Sequence, residues 1–423
     1  MTTTRDPLDI RHLEPLDGLA MTSQRPPPTA ASASITFLSP AGCGRDPRGS
    51  EGAALLTTQS MTAAAGPWKR VELARRLDRL GASLHYQVAP ESTEISISGP
   101  ADEWPALLEL LATVVLTPRF EPDDLARVVR QMRERQLRDL TQPGARAERE
   151  LLRAIYPRGH PYRETGSGSA ESLRRLTRGA VRRFHRNHFV ADGSRIVTTV
   201  PAPDARVRAE VERRLRSLDR STRIAPLHLA APSGSTGTTR VPMAGRSQVE
   251  LRLGGPSLPR SAPEFPALFL AHEVLGGRPL LSRLFQRVRE KEGLAYHASS
   301  ALEAMRYGGY WSVAAGASSE HWARALELLR EELARIQDEA PRPVDLRRVR
   351  ESAIGELPLS LETTSDAHEL AVDVAYHELP GDFWRRWPGV LRAVRPDSVR
   401  QAAEVGLDRR TAATVVAGPI VRG

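Results

Sequence analysis

Arg289 and Tyr296 stand seven positions apart in the stretch Arg283 to Tyr296, RLFQRVREKEGLAY. A guanidinium and a phenol both donate hydrogen bonds, so a pair placed side by side could grip a peptide carbonyl. The elements that carry them decide whether they meet. Leu284, Phe285 and Val288 can share a buried face while Arg283, Arg287, Arg289, Glu290, Lys291 and Glu292 stay wet, which is the pattern of an amphipathic helix. Gly293 is expected to stop that helix in a left-handed conformation, and Leu294-Ala295-Tyr296 to begin an extended segment. Arg289 then sits on the last turns of a helix and Tyr296 just past its end. The plainer reading of the same spacing is a solvated arginine and a half-buried strand tyrosine.

Other residues with chemical potential are scattered. His185 and His188, three apart on an expected helix, could pair as metal ligands, but His188 follows Asn187 near the helix end and no carboxylate partner is evident. They read as structural or surface residues. His368 and His377 do not share a helical face closely. Cys43 is the single cysteine, so an internal disulfide is excluded and a thiolate metal site is disfavoured. It falls in an expected loop without an evident base, which makes it a bystander more than a nucleophile.

The chain has 423 residues, enough for several domains, and 40% of them are hydrophobic, which marks a folded globular protein. Lys plus Arg is 60 against 51 for Asp plus Glu, a net charge of +9. Arginine supplies almost all of the excess, and it is interleaved with Asp and Glu on expected helices such as 125–138 and 172–186. Aromatic residues are only 5%, so the aromatic interleaving of a nucleic-acid surface is missing. No run of 18 apolar residues exists, so no membrane span is expected. MTTTRDPLDIRHLEPLDG lacks the apolar core of a signal peptide, and the expected location is cytoplasmic.

Periodicity orders the rest. Residues 1–12 read as a loose leader, Ser32–Leu38 as a strand, and Gly42–Gly49 as a loop before a helix that runs from Ser50 to about Ala65. That helix is small or apolar almost all round and should be buried. Arg70–Leu80 is an amphipathic helix closed by Gly81, followed by strands at Ser83–Val88 and Glu94–Ser98. Trp104–Leu116 and a long Arg-rich helix after Glu121-Pro122-Asp123-Asp124 come next. The APLHLAAPSGSTGTTRV stretch within 221–241 is the most linker-like in the chain. The expected division is a domain over 1–220, a linker over 221–241 and a domain over 242–423.

The second half repeats the first. At an offset of 218, Leu173, Arg174, Val181 and Val197 meet Leu391, Arg392, Val399 and Val415, and Trp104, Glu109 and Leu110 meet Trp322, Glu327 and Leu328. At 212, Gly81 meets Gly293, which an insertion of six residues in the hairpin would explain. The expected fold is therefore α+β, two homologous domains of mixed or antiparallel sheet packed with helices.

LGGRPLLSRLFQRVREKEGLAYHASS, followed by GGYWSVAAGAS, resembles the second half of the insulinase, pitrilysin and mitochondrial-processing-peptidase family of zinc peptidases. GRDPRGSEGAALLTTQSM, RVELARRLDRLGASL, FEPDDLARVVRQMRERQL and GHPYRETGSGSAESLRRLT follow that family's order in the first half, so the likeness covers almost the whole chain. It implies a duplicated metallopeptidase-type fold and a chamber formed when two such chains, or two halves of a longer chain, close over a peptide. Active members of the family bind zinc through His-x-x-Glu-His on the first helix, two imidazoles one turn apart with a general base between them. The matching window here is Leu55-Leu56-Thr57-Thr58-Gln59, so Leu55, Thr58 and Gln59 replace the ligands and the base. A further family ligand falls near Arg135, beside Glu134. There is no histidine between His12 and His85, so no shift of register restores the motif.

The resemblance also assigns a role to the opening pair. The family's second half carries R-x-K-x-G-L-A-Y, and Arg289 through Tyr296 match it position by position. By the resemblance, Arg289 and Tyr296 reach the substrate on a zinc held by the opposing half. The expected function is that of a non-catalytic, substrate-binding subunit of a heterodimeric zinc endopeptidase acting on unfolded peptides, leader peptides among them. No cofactor is expected in this chain. The expected partner is a paralogue with an intact His-x-x-Glu-His, which would hold the zinc, and neither nucleic acid nor membrane is expected as a partner. The alternative is a catalytically dead scaffold or peptide-binding subunit. A third reading, a self-sufficient hydrolase with a relocated site, would require chelator-sensitive peptidase activity from the chain alone.

Overall fold

The computed structural model describes residues 8–28, 30–232 and 236–419. The first sheet contains β1 (Arg11–Leu16), β2 (Leu19–Gln24), β3 (Ser32–Ser39), β4 (Ser83–Val88), β5 (Thr93–Pro100) and β6 (Arg195–Thr199). Their order is β1-β2-β6-β3-β5-β4. The second contains β7 (Thr238–Pro242), β8 (Gln248–Ser257), β9 (Ala295–Ala304), β10 (Gly309–Ser318) and β11 (Ala413–Gly418), in the order β7-β11-β8-β10-β9. Beyond β1, the two orders match strand for strand. In each sheet a single neighbouring pair is parallel, β2 with β6 and β7 with β11. The duplicated α+β reading of the sequence is therefore the architecture of the protein.

Alternation explains the first sheet. Ile35 and Phe37 of β3 and Ile95 and Ile97 of β5 are all fully buried on one face, against the helix Trp104–Leu116. Removing such side chains from water is worth about 1.5–3 kcal/mol each. Ser34, Thr36, Glu94, Ser96 and Ser98 alternate with them and occupy the other face. That face is partly covered by the helix Thr364–Tyr376, which packs on β6, β3 and β2.

Each compact unit draws on residues from both sides of the 221–241 stretch. One comprises the described residues up to Arg135 with Thr165–His228 and Leu357–Arg386. The other comprises Gln136–Glu164, Leu229–Glu356 and the described residues from Trp387 onward. The helix Pro143–Ile155 comes from the first half of the chain and packs on β8 and β11. The helix Thr364–Tyr376 comes from the second half and packs on β3 and β6, the equivalent strands of the other sheet. Leu151 and Ile155 lie in a core with Ala413, Val415 and Ala417, and Val374 and Ala375 in a core with Val197. Tyr156 adds a polar anchor, its hydroxyl donating to the Gly309 carbonyl at 2.6 Å.

Several boundaries differ from expectation. Arg11 and His12, read as leader, belong to β1, where they stand opposite Ser23 and Thr22 of β2; residues 1–7 lie outside the described residues. The first helix is Ala53–Met61 and ends at Thr62, short of Ala65, which instead bridges to Trp68 and Pro118. Thr238–Val241, read as linker, pairs in parallel with β11.

The start of that first helix has an unusual cap. Gly52, at φ 97°, has no side chain to offer the free N–H groups. Asp46 supplies it from the preceding loop, accepting from Gly52 N at 2.6 Å and Ala54 N at 2.7 Å. Burial pushes the Asp46 carboxyl up to about 7 in spite of these bonds. A carboxyl raised above its unfolded value favours folding fully below that unfolded value and loses the contribution as pH rises through the folded one. Asp46→Asn cannot ionise, so its urea midpoint is expected to gain on wild type between about pH 5 and pH 8. A constant difference across that range would exclude ionisation of Asp46.

Candidate functional site

Arg289 and Tyr296 meet at two local irregularities. The segment Phe285–Lys291 is a π-helix, with Glu292 N–H bonded to the Arg287 carbonyl at 3.2 Å. An ordinary α-helix was expected there. The wider turn is still amphipathic, with Leu284, Phe285 and Val288 buried. Gly293 ends it at φ 64°, and a Cβ there would meet nothing within 4 Å, so the requirement is conformational and not steric. Short π segments are frequent at functional sites.

Tyr296 is the extra residue of a β-bulge. In the β9–β10 ladder His297 faces Gly316 and Ala295 faces Ala317, which leaves Tyr296 without an opposite number. β9 is the edge strand of its sheet. A bulge re-aims the side chain it carries, and Tyr296 is 73% exposed. The Arg289 guanidinium lies 5.5 Å from the centre of the Tyr296 ring and 4.9 Å from that of Phe285. Such a contact is worth about 0.5–1 kcal/mol at an exposed site. Arg287, two residues earlier, is committed to Glu292 at 3.5 Å and Glu331 at 3.9 Å. Arg289 and Tyr296 have no hydrogen bond or ion pair among the described residues, so their donors are available to a ligand. The plainer reading of a half-buried strand tyrosine does not describe this residue.

The first helix offers a poor donor set for zinc. Leu55 packs against the core. Thr58 is fully buried and its hydroxyl donates to the Ala54 carbonyl at 2.9 Å. Gln59 lines a cleft of about 250 Å³ with Arg70, Tyr86, Arg127 and Gln131. Its amide oxygen is buried without a hydrogen-bond partner. Two arginines in the wall would repel a divalent cation, and alkyl, hydroxyl and amide groups are not the soft or imidazole ligands zinc prefers. Arg135 is exposed and does not line the cleft, whose wall on the helix Pro122–Thr141 is built by Arg127, Val128 and Gln131. Among the described residues no group of three His, Cys, Asp or Glu side chains is arranged to hold a metal ion. These residues do not fit zinc.

The histidines have other partners. His185 bonds the Val115 carbonyl at 2.8 Å and stacks on Phe189. Burial pushes His188 down to about 4, aided by Arg45. His368 is enclosed between the hydroxyls of Thr36 at 2.7 Å and Thr199 at 2.8 Å, and burial holds it neutral, down to about 3.

Residues 175–353 match the family model described as Peptidase M16 inactive domain. A zinc protease of Mycobacterium tuberculosis, Rv2782c, is 29% identical over 301 residues, covering 70% of this chain and 67% of that protein. Over residues 175–353 this chain is therefore similar to the M16 inactive domain. Among solved structures, an M16 inactive domain from Pseudomonas fluorescens superposes with a TM-score of 0.91 at 22% identity, covering 98% of this chain and 99% of that one. A protease from Helicobacter pylori gives 0.87 at 17% identity, over 96% and 99%. These two likenesses establish the M16 fold. The M16 match and the emptied first helix agree with a non-catalytic member of the family. No helix among the described residues is long and apolar enough to cross a membrane.

Two features of this site are invisible to helical or strand periodicity. The π turn and the bulge each insert one residue into a regular ladder, and no residue type in RVREKEGLAY demands either. Only Gly293, at the junction of the two, gives a local signal.

Proposed function

We propose that this chain is the substrate-binding, non-catalytic subunit of a two-chain zinc endopeptidase. A paralogue with an intact His-x-x-Glu-His supplies the metal, and this chain supplies Arg289 and Tyr296. The observation that carries the reading is the contrast between two positions. The zinc helix holds Leu55, Thr58 and Gln59, while Arg289 and Tyr296 stay side by side and exposed, without a hydrogen bond or ion pair among the described residues. A guanidinium and a phenol in that state can donate to a scissile carbonyl as it becomes an oxyanion, and can hold the peptide backbone. The substrate is an unfolded peptide, such as the leader of a precursor.

The test mixes the purified chain with a zinc-motif paralogue and follows cleavage of an unstructured peptide. Activity is expected from the mixture and not from this chain alone. Full activity of the paralogue by itself, unchanged by this chain, would overturn the proposal. A scaffold role would instead show as assembly or peptide binding that is indifferent to Arg289 and Tyr296.

A further inference from the structure

A second cleft, of about 420 Å³, opens between the polar face of β3, β5 and β4 and the helix Thr364–Tyr376. It lies within the first unit, whereas Arg289 and Tyr296 belong to the second. Its size is in the range of pockets that hold small ligands. Glu94 from β5 and Glu369 from the helix both line it, and neither has a hydrogen bond or ion pair among the described residues. None of the lining residues is Lys or Arg, in a chain that has 60 of them. His368 in the wall is held neutral by burial, down to about 3, so it brings no balancing charge. Ser34 is only 5% exposed, lines the same cleft, and its hydroxyl has no partner among the described residues.

An uncompensated carboxylate in a half-closed cleft is costly unless a cation arrives. Burial, and then the charge of Glu369, push the Glu94 carboxyl up to about 7, which is the expected mark of that cost. No group of three His, Cys, Asp or Glu side chains is placed for a metal ion among the described residues. Two carboxylates and a serine hydroxyl suit an organic cation, whose N–H groups can serve all three together.

We propose that this cleft is a binding site for an aliphatic ammonium or guanidinium group, held between Glu94 and Glu369 with Ser34 accepting a further N–H. The group could be a free amine or the basic side chain of a peptide, and the shared chemistry is the same. Isothermal titration calorimetry on the full chain would compare agmatine, spermidine, an extended peptide with one arginine, and that peptide with citrulline in its place. Saturable binding of at least one cationic probe is expected, with the citrulline peptide weaker than the arginine peptide if the peptide binds at all. Binding of the amines alone would identify a free amine as the ligand, and binding of the arginine peptide a basic side chain.

Glu94→Gln is expected to weaken the bound probe at least about tenfold. Glu369 is exposed and unpaired, so Glu369→Gln leaves folding intact and serves as the second variant, with a smaller loss expected. Absence of saturable binding by every cationic probe would overturn the site. So would equal binding of the citrulline peptide, or affinity unchanged in both variants. The outcome is independent of whether Arg289 and Tyr296 take part in proteolysis.

Discussion

Tyr296→Phe in the reconstituted two-chain complex is expected to lower kcat by about 10²–10³, the usual cost of removing one donor to a developing oxyanion. The substitution is confined to the hydroxyl. The ring stays, so the contact with Arg289 at 5.5 Å stays with it. Tyr296 is 73% exposed and has no hydrogen bond among the described residues to lose, so stability should hold. Arg289→Ala is expected to act in the same direction and to raise KM as well, because a guanidinium also grips the peptide backbone. Arg289→Lys retains charge but not the fork, and should recover only part of the loss. Zinc in the partner should be retained throughout. A kcat within about twofold of wild type for Tyr296→Phe would remove the hydroxyl from the chemistry and favour a scaffold role.

Leu151→Ala is expected to destabilise the protein by about 2–5 kcal/mol, as deletion of a fully buried leucine does. The location of the damage is the sharper expectation. Leu151 lies in the helix Pro143–Ile155, which packs on β8 and β11. Hydrogen exchange followed by mass spectrometry should therefore quicken in Gln248–Ser257 and Ala413–Gly418. β3 and β6, which lie in the same half of the chain as Leu151, should keep their protection. Val374→Ala tests the mirror arrangement, since its helix packs on β6, β3 and β2. Faster exchange in β3 and β6 with Leu151→Ala, and none in β8 and β11, would contradict the exchange of helices.

Much of this was legible in the chain itself. Ile35, Phe37, Ile95 and Ile97 alternate with polar residues, and that period fixes both strand and buried face before any partner is known. Internal matches at an offset of 218, shifted to 212 at Gly81 and Gly293, announce the duplication, because equivalent positions of a repeated fold favour equivalent residues. Leu55, Thr58 and Gln59 are a statement about chemistry that needs no fold, since none of these side chains can serve zinc as the missing imidazoles and carboxylate would. Gly293 marks the end of the helix that carries Arg289, as its φ of 64° confirms.

The tertiary structure alone decided three things. It assigned the helices Pro143–Ile155 and Thr364–Tyr376 to sheets whose strands come largely from the other half, a choice that an amphipathic face cannot make, because any apolar sheet face of the right size would satisfy it. It brought Glu94 to Glu369 across that exchanged packing. And it placed Tyr296 beside Arg289, where sequence alone allowed a buried strand tyrosine as readily. The π turn and the bulge depend on how β9 meets β10 and the residues packed behind it, so the orientation of both side chains is set by contacts distant in sequence.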